Sequence, residues 1–169
     1  MAEGEAWMDL LDRLLEHDHW ATTQLFAVAR GLTDAQLDEP FDVGHRTLRD
    51  TFEHTISNIE GWTAWMIRKP PADPGADHSL TALRDCFERA SAAFAAFARR
   101  IRDEERFDDT FTDISDAPMT FGGGILHVIL HNEGHRVEVL HIFQRLGLAD
   151  LPEVDHGLWD FVRRGLFQA

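Results

Sequence analysis

Histidine is the residue type whose number and spacing here could do chemistry. The chain holds ten, and three of them, His127, His131 and His135, follow one another at intervals of four. At about 100° per residue, neighbours in such a series differ by only about 40°, so on a helix they form one stripe. Val128, Val139 and Ile142 flank that stripe on one side and Leu130 and Val137 on the other, with Gly134 and Glu138 close by. Imidazoles bordered in this way are expected to point into a packed interior, where ring nitrogens without partners are costly. A histidine pair at i, i+4 is a standard helical grip on a transition metal, because both rings reach the same point in space. Taken alone, the same spacing also fits ordinary core or surface histidines.

A third ligand must come from another helix. His54 is the best candidate, at the edge of an apolar arc formed by Leu48, Phe52, Ile59 and Met66. Asn58, Gly61 and Trp65 share its side, which suits a cleft wall better than a packed centre. His17 and His19 stand beside Trp20, two residues apart, so they face different directions and one is expected to be exposed. His45, His78 and His156 fall in loops or at helix ends and are read as solvated. His141 turns away from the pair by more than about 100° and makes a poor ligand.

The elements that must carry these residues are helical. Met8, Leu11, Leu14, Leu15, Leu25, Phe26 and Val28 recur at helical spacing, which predicts a first helix over residues 5–30, stopped at Gly31. A second is expected over 47–69, ended by Pro70 and Pro71. A loop over 72–78 leads to Ser79 as N-cap of a third helix reaching residue 105, with Leu83, Phe87, Phe94, Phe97 and Ile101 on one side. Residues 106–120 read as a long irregular crossover, in which 107–114 could be extended or a hairpin piece. Gly122, Gly123 and Gly124 then open a fourth helix over 125–146, ended at Gly147, and a short helix over 155–167 follows. The expected fold is therefore all-α: one domain over 1–169, a four-helix bundle with long crossover connections and a short C-terminal helix.

Composition excludes several classes. With 44% hydrophobic and 27% charged residues, the balance is globular. A formal net charge of −14 argues against nucleic acid, which needs clustered Lys and Arg, and disfavours anionic membranes. No apolar run approaches the ~20 residues of a membrane helix. The acidic start of the chain lacks a signal-peptide pattern, and a single cysteine precludes an intramolecular disulfide, so a cytoplasmic location is expected. Cys86 has Asp85, Glu88 and Arg89 nearby and no histidine in register, which reads as a packed thiol rather than a nucleophile. Trp20, Trp62, Trp65, Phe121 and Trp159 are candidates for a pocket or a subunit interface. Ile129, Leu140 and Phe143, apolar yet off the histidine stripe, suggest a face covered by a second copy.

These residues resemble the DinB family, the DinB/YfiT-like metalloenzymes, over nearly the whole chain. The most specific elements are His127-x3-His131-x3-His135-Arg136 and Leu48-x5-His54. Leu14-Leu-Glu-His-Asp-His-Trp20-Ala, Leu32-Thr-Asp-Ala-Gln-Leu37 and Leu140-His-Ile-Phe-Gln-Arg-Leu-Gly147 add weaker support. The resemblance implies a dimeric bundle holding a Zn²⁺- or Ni²⁺-like ion on His54, His131 and His135, with His127 as a neighbour. Many members carry Gly-Gln after the His-Arg, whereas this chain has Val137-Glu138, which places a carboxylate near the stripe.

Three protein ligands leave a fourth position open, the arrangement of a catalytic rather than a structural zinc. Such a site activates water or holds a thiolate. The resemblance implies the second, since relatives include transferases and isomerases that use bacillithiol or mycothiol. The leading expectation is a metal-dependent transferase acting through a low-molecular-weight thiol. Glu138 and His127 would there orient ligands or move protons. An Arg-rich composition suggestive of a GC-rich genome favours mycothiol. The alternatives are a non-catalytic metal-binding stress or detoxification protein and a metal-dependent hydrolase.

Overall fold

The computed structural model describes residues 8–71, 75–112 and 116–167. Among them run α1 (Leu10–Ala29), α2 (Asp34–Leu37), α3 (Leu48–Ile67), α4 (Leu80–Asp103), β1 (Thr110–Thr112), β2 (Pro118–Thr120), α5 (Phe121–Arg145) and α6 (His156–Arg163). The starts are set by capping side chains. Asp9, Thr47 and Ser79 each accept from the backbone N–H three residues on, satisfying a donor that the first turn leaves free. Asp9 therefore starts α1 later than expected, and residues 5–7 of the expected helix lie outside the described residues. Arg68 ends α3 in the left-handed region (φ 54°), before the two prolines.

The long helices α1, α3, α4 and α5 form the bundle. Each of α1 and α3 packs against both α4 and α5. The successive long helices α1 and α3 thus stand diagonally across the core, as do α4 and α5, and the connections between them must cross an end of the bundle. The diagonal pair α1 and α3 meets through Phe26 stacked on Phe52 at 4.1 Å, with Phe87 of α4 5.7 Å from Phe26. Phe52 and Phe87 are fully buried, and each such burial stabilises the fold by about 2–3 kcal/mol. The expected apolar side of α4 is the buried one, from Leu83 to Ile101.

The crossover is more ordered than expected. Thr110–Thr112 pairs antiparallel with Pro118–Thr120, Phe111 opposite Met119. Phe111 is buried between two exposed threonines and stacks on Phe121, so one inward aromatic holds the hairpin to the bundle. Residues 113–114 of the expected extended piece lie outside the described residues. The three glycines do not precede α5 but form its first turn, with Thr120 as the cap. At Gly124 a Cβ would press within about 3.0 Å of the Phe111 ring and 3.1 Å of Met66 Sδ, so the hairpin lies flush on α5 only because that side chain is missing.

Two expectations about exposure are corrected. Ile129 and Phe143 belong to this chain's own core and Leu140 is half-buried, so they are no bare face. The exposed apolar residues of α5 are Leu126, Leu130 and Val137. The histidine stripe accordingly borders the interior on its Val128 and Val139 side alone. No helix among the described residues is long and apolar enough to cross a membrane.

His17 shows how α6 is held. Its ring is buried, donates from Nε2 to the Val154 carbonyl at 2.8 Å, and lies edge-on to Trp159 at 6.1 Å. Burial lowers its pKa below the usual 6.5, against the pull of that carbonyl. A folded pKa below the unfolded one means the unfolded chain binds more protons in that window. The contribution of His17 is therefore complete above pH 6.5 and lost as pH falls below it. The expected result is a lower guanidinium midpoint for metal-free protein at pH 5 than at pH 7.5, and a smaller difference in His17→Gln. An equal pH response in the two proteins would remove His17 from the account.

Candidate metal centre

Helices α3 and α5 bring their histidines edge to edge. His131 Nε2 lies 3.0 Å from His54 Nε2 and 2.9 Å from His135 Nε2. The three ring centroids stand 4.4 to 5.2 Å apart, with the His131 and His135 planes crossed at 82°. His135 is buried, while His54 and His131 are half-buried. Burial, and then the neighbouring rings, push His54 down to about 4 and lower His131 as well. Both are neutral at pH 7 and present lone pairs.

Glu138 fixes one tautomer. Its carboxylate accepts from His135 Nδ1 at 2.7 Å, so Nδ1 carries the proton and Nε2 is left as a bare donor atom. His131 Nε2 takes part in both contacts yet has a single in-plane site, proton or lone pair, so it cannot satisfy the two as hydrogen bonds. A cation takes all three lone pairs at once. With bonds of 2.0–2.1 Å, a tetrahedral ion sets its nitrogens about 3.3 Å apart, within a few tenths of an ångström of the two contacts seen here. The residues fit a divalent ion.

The second and third imidazoles of the stripe are each followed by an anchor. Asn132, after His131, donates to Asp18 Oδ2 at 3.0 Å, and Arg136, after His135, donates to Asp18 Oδ1 at 2.5 Å. All three anchoring side chains are nearly or fully buried. Burial pushes the Asp18 carboxyl up, while Arg136 and Asn132 pull against it. Both oxygens of one α1 carboxylate thereby set the rotation of α5, and with it the direction of His131 and His135. Nothing in the periodicity of α5 marks this tether, although Asp18 falls in the motif that carries the resemblance.

His127 stays outside the cluster. It stacks on His131 at 5.4 Å and lies tilted against Trp62 at 4.3 Å, so Trp62 reaches the stripe. Phe121 and Trp159 are buried. His19 pairs with Glu88 and His78 with Glu53, both outside the cluster; His156 is exposed as expected, and His141 is exposed too.

His45 is the correction. Read as solvated, it is half-buried and stacks on His54 at 3.7 Å with planes 22° apart, 5.2 Å from His135. One ring nitrogen each from His45, His54 and His135 lie within 4.8 Å of one another. Two trios thus share His54 and His135. The direct Nε2 contacts of 2.9 and 3.0 Å favour His131 as the third member over the looser His45. The one available sequence signal was Gly44, whose φ of +50° a side chain rarely adopts.

A cleft of about 340 Å³ lies between α3 and α4 and includes His54 in its wall. Asp50, Glu53, Glu60 and Asp77 make it acidic, and burial raises the Glu60 pKa. Cys86 lines the same cleft, half-buried and packed against the core as expected, with Arg89 donating to its Sγ at 3.0 Å. Asn58, one turn beyond His54, has a buried Nδ2 without a hydrogen-bond partner.

Comparison with known proteins agrees with this architecture. The DinB superfamily profile matches residues 17–139. A DinB-like protein from Bacillus cereus superposes with a TM-score of 0.64 at 20% identity, over 84% of this chain and 95% of that one. YfiT from Bacillus subtilis, described as a probable metal-dependent hydrolase with an unusual four-helix bundle topology, does so with 0.63 at 18% identity, over 87% and 94%. No curated protein matches.

Proposed function

The chain belongs to the DinB superfamily, and from that premise we propose that it is a divalent-metal enzyme whose ion sits on His54, His131 and His135. The observation that carries this is the meeting of three Nε2 atoms at 2.9 and 3.0 Å, one of them fixed as a donor by Glu138. Bound there, Zn²⁺ or Ni²⁺ would acidify a coordinated thiol or water. The substrate class proposed is a low-molecular-weight thiol transferred to an electrophile, as the resemblance implies. The acidic cleft beside His54 favours a thiol without carboxylates, since Asp50, Glu53, Glu60 and Asp77 repel anions.

In this reading Glu138 holds the His135 tautomer, and the orphan Nδ2 of Asn58 supplies a hydrogen bond to a substrate oxygen. His127, poised on Trp62, moves protons at the edge of the site. The active form proposed is a homodimer closed over Leu126, Leu130 and Val137. Sedimentation of Leu130→Glu as a monomer, with the wild type as a dimer, is the expected result.

Hydrolysis is the second reading, favoured by the described role of YfiT. Metal-loaded protein assayed with a model electrophile, with and without a neutral thiol such as N-acetylcysteinamide, separates the two. Metal-dependent conjugation only when thiol is present supports transfer. Ester or amide cleavage without thiol points to hydrolysis, and neither activity in metal-loaded protein returns the chain to a non-catalytic binding role.

A further inference from the structure

The loop before α3 looks at first like a connection, but it delivers an imidazole to the histidine cluster. We propose that His45 is a fourth donor to the ion, carried by a loop and displaced by the incoming nucleophile. The proposal rests on the metal reading above and adds to it a ligand that neither helix supplies. Nitrogens bound to one tetrahedral ion at 2.0–2.1 Å stand about 3.3 Å apart. The His45, His54 and His135 nitrogens lie within 4.8 Å of one another, so His45 must close by up to about 1.5 Å to reach that spacing. Lone pairs lie in the ring plane, and the present stack on His54 is near-parallel. Ligation therefore tilts His45 out of that stack, a change that a loop makes without disturbing the bundle.

The loop is built to hold this position. Gly44 at φ +50° and Arg46 at φ 76° both occupy the left-handed region, which costs a residue with a Cβ about 1–2 kcal/mol. Such strain persists only where surrounding contacts fix it. Those contacts are present. Phe41 N–H donates to the Arg46 carbonyl at 2.7 Å and Arg46 N–H to the Val43 carbonyl at 2.9 Å. Phe41 is buried, with the Arg145 guanidinium 5.0 Å above its ring and paired to Asp42. At Gly44 a Cβ would collide with the Glu138 carboxylate, the group that also holds His135. Loop and helix ligands are thus referred to one carboxylate.

The three helix-borne imidazoles sit on elements locked by the core, whereas His45 sits on a loop. Of the four it is the one that can leave. A thiolate is a stronger donor to a borderline-soft ion than imidazole and is the class expected to displace it.

Cobalt(II) serves as the probe, because its visible bands report donor number and type. Wild type, His45→Ala, His45→Gln and His131→Ala are titrated with Co²⁺, their folding checked by far-ultraviolet circular dichroism. The expected result is altered bands and a Co²⁺ affinity at least ~10-fold weaker in both His45 variants. Free imidazole should restore the wild-type bands in His45→Ala. N-acetylcysteinamide should give its thiolate-to-cobalt absorption at lower concentration in His45→Ala than in wild type. Folded His45 variants with wild-type bands and affinity, beside a His131→Ala that loses the ion, would overturn the fourth donor and leave the trio intact. A wild type that takes up no Co²⁺ would remove the trio, and the fourth donor with it.

Discussion

Wild-type protein incubated with Zn²⁺ and then freed of excess should carry about one ion per chain, and His54→Ala or His131→Ala should carry none. Each substitution removes one of three Nε2 donors linked by contacts of 2.9 and 3.0 Å, and the remaining helix-borne pair, even with the looser His45 beside it, holds such an ion far more weakly. Affinity is expected to fall more than ~100-fold, beyond the 10–100-fold typical of losing a group that only orients a ligand. Glu138→Ala tests that smaller class. It takes the acceptor from His135 Nδ1 and leaves all ligands in place, so the ion should remain at weakened affinity. Mass spectrometry of metal content, with a competing chelator for affinity, reads each case. Full metal content in His131→Ala would shift the third ligand to His45 and correct the assignment made from the shorter contacts.

The largest loss of stability is expected at Asp18. Its carboxylate is buried with the Arg136 guanidinium and the Asn132 amide, all at 3% exposure or less. Asp18→Ala leaves a guanidinium in the interior with one partner fewer, a change that costs about 3–5 kcal/mol. In a domain of this size each kcal/mol moves the melting temperature by about 2–4 °C, so a drop of roughly 10 °C is expected. Arg99→Ala is the contrast. It breaks partly exposed pairs with Asp12 and Glu16, which contribute about 0–1 kcal/mol each. A double variant, Asp18→Leu with Arg136→Met, should recover much of the loss because no buried charge is left unpaired. Denaturant midpoints check all three, and a loss below about 1 kcal/mol for Asp18→Ala would refute the buried-charge account.

The helices were legible because their information is local. Leu83, Phe87, Phe94, Phe97 and Ile101 recur with the helical period and are all buried, and Ser79 caps the helix they define. The same periodicity aimed His131 and His135 at one point, and His54 followed as the histidine inside the facing helix. Direction in a loop has no such period. His45 reaches the cluster through two left-handed residues and a pin formed by Phe41 and Arg145, a hundred residues apart in sequence. Likewise the hairpin depends on Phe111 finding Phe121 and on the missing side chain at Gly124. The start of α5 was misplaced for a related reason. Glycines disfavour a helix locally, but packing under the hairpin and the Thr120 cap outweigh that preference.

The Asp18 tether also bears on how long the folded state lasts. It joins positions 114 and 118 residues apart, so closing it requires nearly the whole chain to be in place. Closing a loop of that length costs entropy before the contact rewards it, so the tether is expected to form on the native side of the folding barrier. A late contact leaves the rate of folding almost untouched and slows escape from the folded basin instead. Stopped-flow traces of Asp18→Ala should show the change on the unfolding limb of the chevron. The anchor that aims two imidazoles would then also be a clasp, setting the hours or days for which a loaded molecule survives before it opens and surrenders its ion.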